Sequence, residues 1–325
     1  MILRYCDSVC FPHTSPLSER SQEQEVTARL KKPEPMSQHL NISTFQYCGT
    51  LMLLVLLCLS RLFDIVILRY WYMTKIIAVV NQKGGVAKTT STVHLGVAIA
   101  ELGKRVLLVD LDSQGHIAEA FHVVADELEY DMSDVFEGKK RIIDIILPKM
   151  RLNLDVAPSN VRLADMELTL VNMNFREVRL KRALEPVVSR YEYIFLDCPP
   201  NLGLFTINAL IAATDVLIPM ATEYWSMLGV ARLLQSINKV KEEGNPQLSI
   251  LGIIPTRYTR TNHAREVVQR TKQEIGDHIR VFSTPVNEST RFREATGTGQ
   301  TVFDLAPDIE GAQAYRTIAQ EIVNI

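Results

Sequence analysis

The sequence predicts an α/β protein: a doubly wound, mainly parallel sheet with helices on both faces, in a three-layer α/β/α arrangement. Three observations predict it. Short apolar, β-branched runs recur along the chain, segments of helical periodicity separate them, and three of the runs end abruptly in glycines or carboxylates. Runs that are apolar throughout suit strands buried on both faces, and their alternation with helices suits right-handed parallel crossovers.

The first run is Lys75-Ile76-Ile77-Ala78-Val79-Val80. Val93, Leu95, Val97, Ala98, Ile99 and Leu102 then recur at roughly helical spacing. A second strand is expected at Lys104–Val109, ending in Asp110-Leu111-Asp112-Ser113-Gln114-Gly115. Further strands are expected at Leu152–Ala157, Tyr191–Leu196, Val216–Pro219, Leu248–Ile254 and Arg280–Phe282. Helical periodicity marks Val161–Val171, Val178–Val188 and Val230–Lys241. No internal repeat or low-complexity tract interrupts the pattern. The stretch from Met73 to Ile325 is long enough for one large domain with a substantial core.

Between the first strand and its helix stands Asn81-Gln82-Lys83-Gly84-Gly85-Val86-Ala87-Lys88-Thr89-Thr90. A strand, a glycine turn and a helix N-terminus gather several backbone N–H groups around one point, where the helix dipole also favours negative charge. Lys88 adds a point charge for terminal phosphates, and the Thr89 hydroxyl can reach a phosphate-bound Mg²⁺. The usual phosphate-loop pattern is not met strictly, because its fixed glycines fall on Gln82 and Ala87. Alanine at 87 implies a backbone that does not need positive φ.

Asp110 and Asp112 end the second strand. Carboxylates there can hold Mg²⁺ waters or orient an attacking water, although most Asp-x-Asp pairs simply form turns. Asp197 ends a third apolar strand and is followed by Cys198, Pro199 and Pro200, which cannot extend it. A Mg²⁺-binding carboxylate belongs at such a position.

Taken in this order, the three segments resemble the ParA/MinD superfamily of ATPases, with its P-loop NTPase-like fold and deviant Walker A box. The chain from about 73 to 325 is similar to ParA/Soj-type partition proteins of chromosomes and plasmids. The resemblance implies an ATP-binding loop from Lys83 through Gly84, Gly85, Val86, Ala87, Lys88, Thr89 and Thr90. Lys83 would cross to the phosphates of a partner subunit in an ATP-sandwiched homodimer, and Lys88 would act within its own subunit. Thr89, Asp110, Asp112 and Asp197 would serve the metal, with Asp112 needed for hydrolysis. The implied cofactors are ATP and Mg²⁺, and the implied activity is a slow ATPase stimulated by a ParB-like centromere-binding protein. Ser283–Asn287 and Arg293-Glu294-Ala295 resemble the family's base loop at altered spacing, and Gly311–Arg316 resembles the start of its closing helix.

The formal net charge is −2, so bulk charge does not make the chain a polyanion binder. Arginines cluster locally between 257 and 293, and two readings fit them: a solvated helical face of mixed charge, or a phosphate-binding flank. The resemblance implies non-specific DNA binding here, with Arg257, Arg260, Arg291 and Arg293 as candidates. It also implies a cytoplasmic, nucleoid-associated location.

Residues 1–72 form a separate region. Cys6, Cys10, Cys48 and Cys58 lie in it at spacings that match no zinc pattern. The segment 51–72 is apolar but carries Arg61, Asp64 and Arg69, and a spanning helix needs about 20 apolar residues. The expectation is an over-extended reading frame or a disordered extension, with Met73 as the natural start. A membrane-proximal segment or a partner-binding arm are the alternatives. Other functions sharing the box are disfavoured. The tail Gln320–Ile325 lacks the basic membrane helix of a MinD-type regulator, Cys198 alone cannot hold an iron–sulfur cluster, and no amidoligase constellation is evident. A MinD-like or other positioning ATPase with a non-DNA cargo is the alternative function.

Overall fold

The computed structural model describes residues 74–222 and 227–325. The extension 1–72, its apolar segment and the expected start at Met73 lie outside the described residues. Seven strands form one sheet in the order β3-β4-β2-β5-β1-β6-β7. They are β1 (Lys75–Val79), β2 (Val106–Asp110), β3 (Leu147–Arg151), β4 (Leu154–Ala157), β5 (Tyr193–Asp197), β6 (Asp215–Ala221) and β7 (Ser249–Thr256). All pairings are parallel except the edge pair β3–β4.

Among the described residues, the helices of seven or more residues are α1 (Lys88–Glu101), α2 (Arg162–Leu170), α3 (Leu204–Ala212), α4 (Met227–Glu243), α5 (Asn262–Ile275), α6 (Arg291–Gly297) and α7 (Glu310–Asn324). Alternate strand residues serve opposite layers, as a period of two requires. Ile76, Ala78, Leu107, Val109, Ile194 and Leu196 pack with Phe205, Leu233 and Ile237 on one face. Ile77, Val79, Leu108 and Phe195 pack with Val93 and Val97 of α1 and with Tyr315, Ile318 and Ile322 of α7 on the other. Gly96 lets α1 press onto the sheet, since a Cβ there would lie 2.5 Å from Leu108 Cδ2.

The doubly wound expectation holds, with differences at its edges. β3 was not expected: its sequence, Leu-Pro-Lys-Met-Arg, has no apolar run, and Pro148 is tolerated because the strand is an antiparallel edge. The expected strand at 280–282 is reduced to a single bridge between Ile253 and Val281. The expected helix 178–188 stops at Leu184, two residues short of Pro186.

The order places β5 between β1 and β2, while β6 lies on the far side of β1. The chain therefore leaves β1 in one direction and later returns past it in the other. Ligands of such sheets bind at the carboxyl ends of strands near that reversal. The loops after β1, β2 and β5 all open there.

Candidate nucleotide site

The loop joining β1 to α1 is tied from three sides. Asn81 donates its side-chain amide to the Pro219 carbonyl at 2.8 Å, and its Oδ1 accepts the Lys83 N–H at 3.0 Å. Thr256, at the end of β7, donates its hydroxyl to the Val86 carbonyl at 3.0 Å. Arg257 Nη1 donates to the Gly85 carbonyl at 3.2 Å. These bonds turn the peptide units so that Gly85 takes φ 74° and Ala87 takes φ 67°. The expectation that Ala87 needs no positive φ is therefore wrong. The loop imposes a left-handed conformation that alanine adopts only at a cost.

Lys88 is buried beneath the loop, and its Nζ reaches the Lys83 carbonyl at 3.5 Å. Burial lowers its pKa, and the nearby Asp197 and Asp112 carboxylates oppose that shift. Lys83, Gly84 and Gly85 are exposed at the mouth of the loop. Thr89 and Thr90 open α1, and the Thr89 hydroxyl donates to Asp197 Oδ2 at 2.6 Å. Thr92, one turn on, donates to Asp197 Oδ1 at 3.1 Å.

Asp197 and Asp110 are register neighbours on β5 and β2 and are both fully buried. Burial pushes the Asp197 carboxyl up to about 7, against the Thr89 hydroxyl and the Lys88 ammonium that favour its charge. Burial also pushes Asp110 well above the usual carboxylate range, and the Asp197 charge adds to the effect. Asp110 spends both oxygens on its own loop, accepting the Asp112 N–H at 3.0 Å and the Ile117 N–H at 3.1 Å. Asp112 accepts the Gln114 N–H at 3.2 Å, and Ser159 holds its carbonyl. It faces a cleft of about 350 Å³ that Gln114, Glu167, Pro200 and Asn201 also line.

Two buried carboxylates beside a hydroxyl and a lysine form a polar nest whose charge is incompletely balanced. Among the described residues no group of three or more His, Cys, Asp or Glu could hold a metal unaided. That donor set fits Mg²⁺, which takes few protein ligands and relies on phosphate oxygens and water. Cys198 is buried, and burial pushes its thiol up, so it is an inert neighbour of the site.

The arginine candidates separate. Arg257 sits at the phosphate loop and pairs with Glu288 at 2.8 Å. Arg260 pairs with Glu310, which Asn287 also contacts, and Arg291 pairs with Glu294 at 2.7 Å. Arg293 is exposed on α6. Sequence reasoning missed Asn81, Thr92 and Thr256. Thr92 was legible, being one turn beyond Lys88 and Thr89 on the same helix.

Fold and site together define a nucleoside-triphosphate-binding α/β protein of the deviant phosphate-loop class. The AAA-domain family matches residues 74–250. The chain is 41% identical over 251 residues to the sporulation initiation inhibitor protein Soj of Bacillus subtilis, covering 77% of this chain and 98% of that one. It is 33% identical over 253 residues to the chromosome partitioning protein ParA of Caulobacter vibrioides, covering 77% and 94%. A solved structure described as cobyrinic acid a,c-diamide synthase from Mycobacterium smegmatis, with bound ATP analogue and magnesium, aligns with TM-score 0.68 and 34% identity, covering 77% and 94%. The chain belongs to the ParA/Soj-type partitioning ATPases. Among the described residues no helix is long and apolar enough to cross a membrane.

Proposed function

We propose that this chain is an ATP-dependent switch for DNA partition, acting as a nucleotide-sandwiched homodimer. The observation that carries the reading is the Thr89–Asp197 contact at 2.6 Å beneath a loop that exposes Lys83 and buries Lys88. Residues 73–325 form the ATPase domain, and 1–72 are an extension to it. Gly84 to Thr90 supply amides and hydroxyls for the phosphates, and Lys88 balances their charge from within the subunit. Lys83, at the exposed mouth, reaches the partner subunit's phosphates.

Thr89 and Asp197 hold Mg²⁺, and Asp110 fixes the backbone that carries Asp112. Bound Mg²⁺ supplies neutralisation of the phosphate oxygens. Asp112 orients the attacking water from its cleft. A ParB-like protein speeds the slow turnover, and the dimer then opens and leaves the DNA. The exposed pairs Arg260–Glu310 and Arg291–Glu294 contribute little to stability and exchange readily for DNA phosphates. Such binding keeps the protein on the nucleoid, in the cytoplasm.

A second reading keeps the ATPase and replaces DNA with another cargo. The carboxylates already pairing Arg260 and Arg291 favour it. The likeness to the Mycobacterium smegmatis synthase adds little, since that protein is 34% identical over the same share of the chain that matches Soj at 41%. A filter-retention assay with random-sequence duplex DNA decides between them. Retention that needs ATP and disappears with Lys83→Ala supports partition, whereas indifference to both removes it.

A further inference from the structure

A second cavity, of about 470 Å³, opens between the segments 135–142 and 174–186. It shares no lining residue with the phosphate loop or with the Asp112 cleft. Lys140, Arg141, Arg179 and Arg182 line it, and no carboxylate does. Asp144 satisfies Arg141 at 2.7 Å. The other three cations have no carboxylate partner among the described residues. Lys140 Nζ lies 3.7 Å from the centre of the Tyr130 ring, and the Arg182 guanidinium lies 4.8 Å from that of Phe175. Arg179 donates Nη1 to the Phe136 carbonyl at 2.7 Å.

Two further features mark the wall. Arg179 Nε is buried without any hydrogen-bond partner, the one such side-chain nitrogen or oxygen among the described residues. A buried guanidinium N–H left empty is costly, so the wall carries an unmet hydrogen bond beside its cations. Phe175, at the rim, is 67% exposed and holds a left-handed backbone with φ 55°. A bulky residue in that conformation is strained, and such strain concentrates at ligand sites.

The wall is also preorganised. Asn208 of α3 accepts the Leu180 N–H at 3.1 Å and donates to the Arg176 carbonyl at 2.8 Å, clamping the backbone on both sides of Arg179. The volume lies within the usual range of small-ligand cavities, about 300–1,000 Å³. Guanidinium forks match phosphate oxygens in shape as well as in charge.

We propose that this cavity is a second anion site that takes a small polyphosphorylated ligand, with Arg179, Arg182 and Lys140 holding its phosphates. A concentration of cations that Asp144 balances only in part, in a concavity of a chain of formal net charge −2, is otherwise unexplained. The proposal is independent of the phosphate loop, and its test is built to separate the two.

The experiment is calorimetric titration of the full chain with inorganic pyrophosphate, without Mg²⁺, in wild type, Lys88→Ala, Arg182→Ala with Lys140→Ala, and Arg265→Ala. Arg265 is exposed on α5 and controls for the loss of one positive charge. Arg182→Ala and Lys140→Ala alter side chains that donate no structural hydrogen bond, and a thermal melt checks that the double variant folds. Binding should persist in Lys88→Ala, weaken at least tenfold in the double variant and stay unchanged in Arg265→Ala. Competition by ADP in the Lys88→Ala background identifies a nucleotide, and its absence an inorganic or sugar polyphosphate; both support the site. Loss of all binding in Lys88→Ala overturns the proposal, as does equal weakening in Arg265→Ala. So does displacement of the probe by a short DNA duplex but not by ADP or tripolyphosphate.

Discussion

Arg257 Nη1 donates to the Gly85 carbonyl at 3.2 Å, while Nη2 of the same guanidinium pairs with Glu288 at 2.8 Å. One side chain thus ties the phosphate loop to the loop that precedes α6. Arg257, a DNA-contact candidate by family resemblance, also supports the nucleotide loop through this bond. Replacing it with methionine removes one charged hydrogen bond to that loop. At about 1 kcal/mol for a partly exposed bond, ATP affinity falls roughly fivefold in equilibrium binding. DNA retention measured at saturating ATP stays near wild type. Lost retention with unchanged ATP affinity returns Arg257 to the DNA flank.

The left-handed Ala87 predicts a rank order of stabilities. Glycine adopts φ 67° without a Cβ penalty, so Ala87→Gly is at least as stable as wild type in urea unfolding. Valine, branched at Cβ, loses about 2 kcal/mol at the same position. If valine matches alanine, the loop does not hold that conformation in solution.

His94 makes stability depend on pH. Its Nδ1 donates to the Thr90 carbonyl at 2.7 Å, and its Nε2 accepts the Val302 N–H at 3.1 Å, so the folded site needs the neutral ring. Complete burial lowers its pKa to about 4 from an ordinary 6.5, with Arg151 adding to the effect and the Thr90 carbonyl and Asp304 opposing it. The folded value is depressed, so this contribution is fully present above pH 6.5 and drains away as pH falls towards 4. It amounts to about 3 kcal/mol. Urea midpoints measured across that window should fall in wild type and fall less in His94→Gln. Parallel curves would show that His94 is not the titrating group.

Asp197 predicts a trade between stability and function. Asparagine removes a buried charge facing Asp110 but keeps the shape of the site, so the nucleotide-free protein melts at the same temperature or higher. Magnesium dependence is what it loses. Chelating Mg²⁺ lowers wild-type ATP affinity about tenfold or more and leaves Asp197→Asn unchanged.

The parts of the site that come from one continuous strand–loop–helix were legible in the sequence, because a glycine turn, a lysine and a hydroxyl next to a helix start need no distant partner to be recognised. Asp110, Asp112 and Asp197 were legible as strand-end carboxylates, yet their division of labour was not. That Asp110 spends its oxygens on the backbone of Asp112 and Ile117 depends on how the loop folds back. The contacts of Thr256 and Arg257 with the loop were hidden, since these residues reach it from the end of β7 across 170 and 172 positions of sequence. The Ala87 conformation was misjudged for the same reason. Those tertiary bonds override the residue's own preference. β3 escaped because an exposed edge strand carries no apolar run, and the helix after 178 ended early because Pro186 has no N–H to continue the helical ladder.

Equilibrium retention of radiolabelled ATP, with and without Mg²⁺, on wild type and Lys88→Ala tests the account most directly. Near-stoichiometric retention that requires Mg²⁺ and vanishes in Lys88→Ala is the predicted result. A wild-type protein that retains no nucleotide, or retention that Lys88→Ala leaves intact, contradicts it.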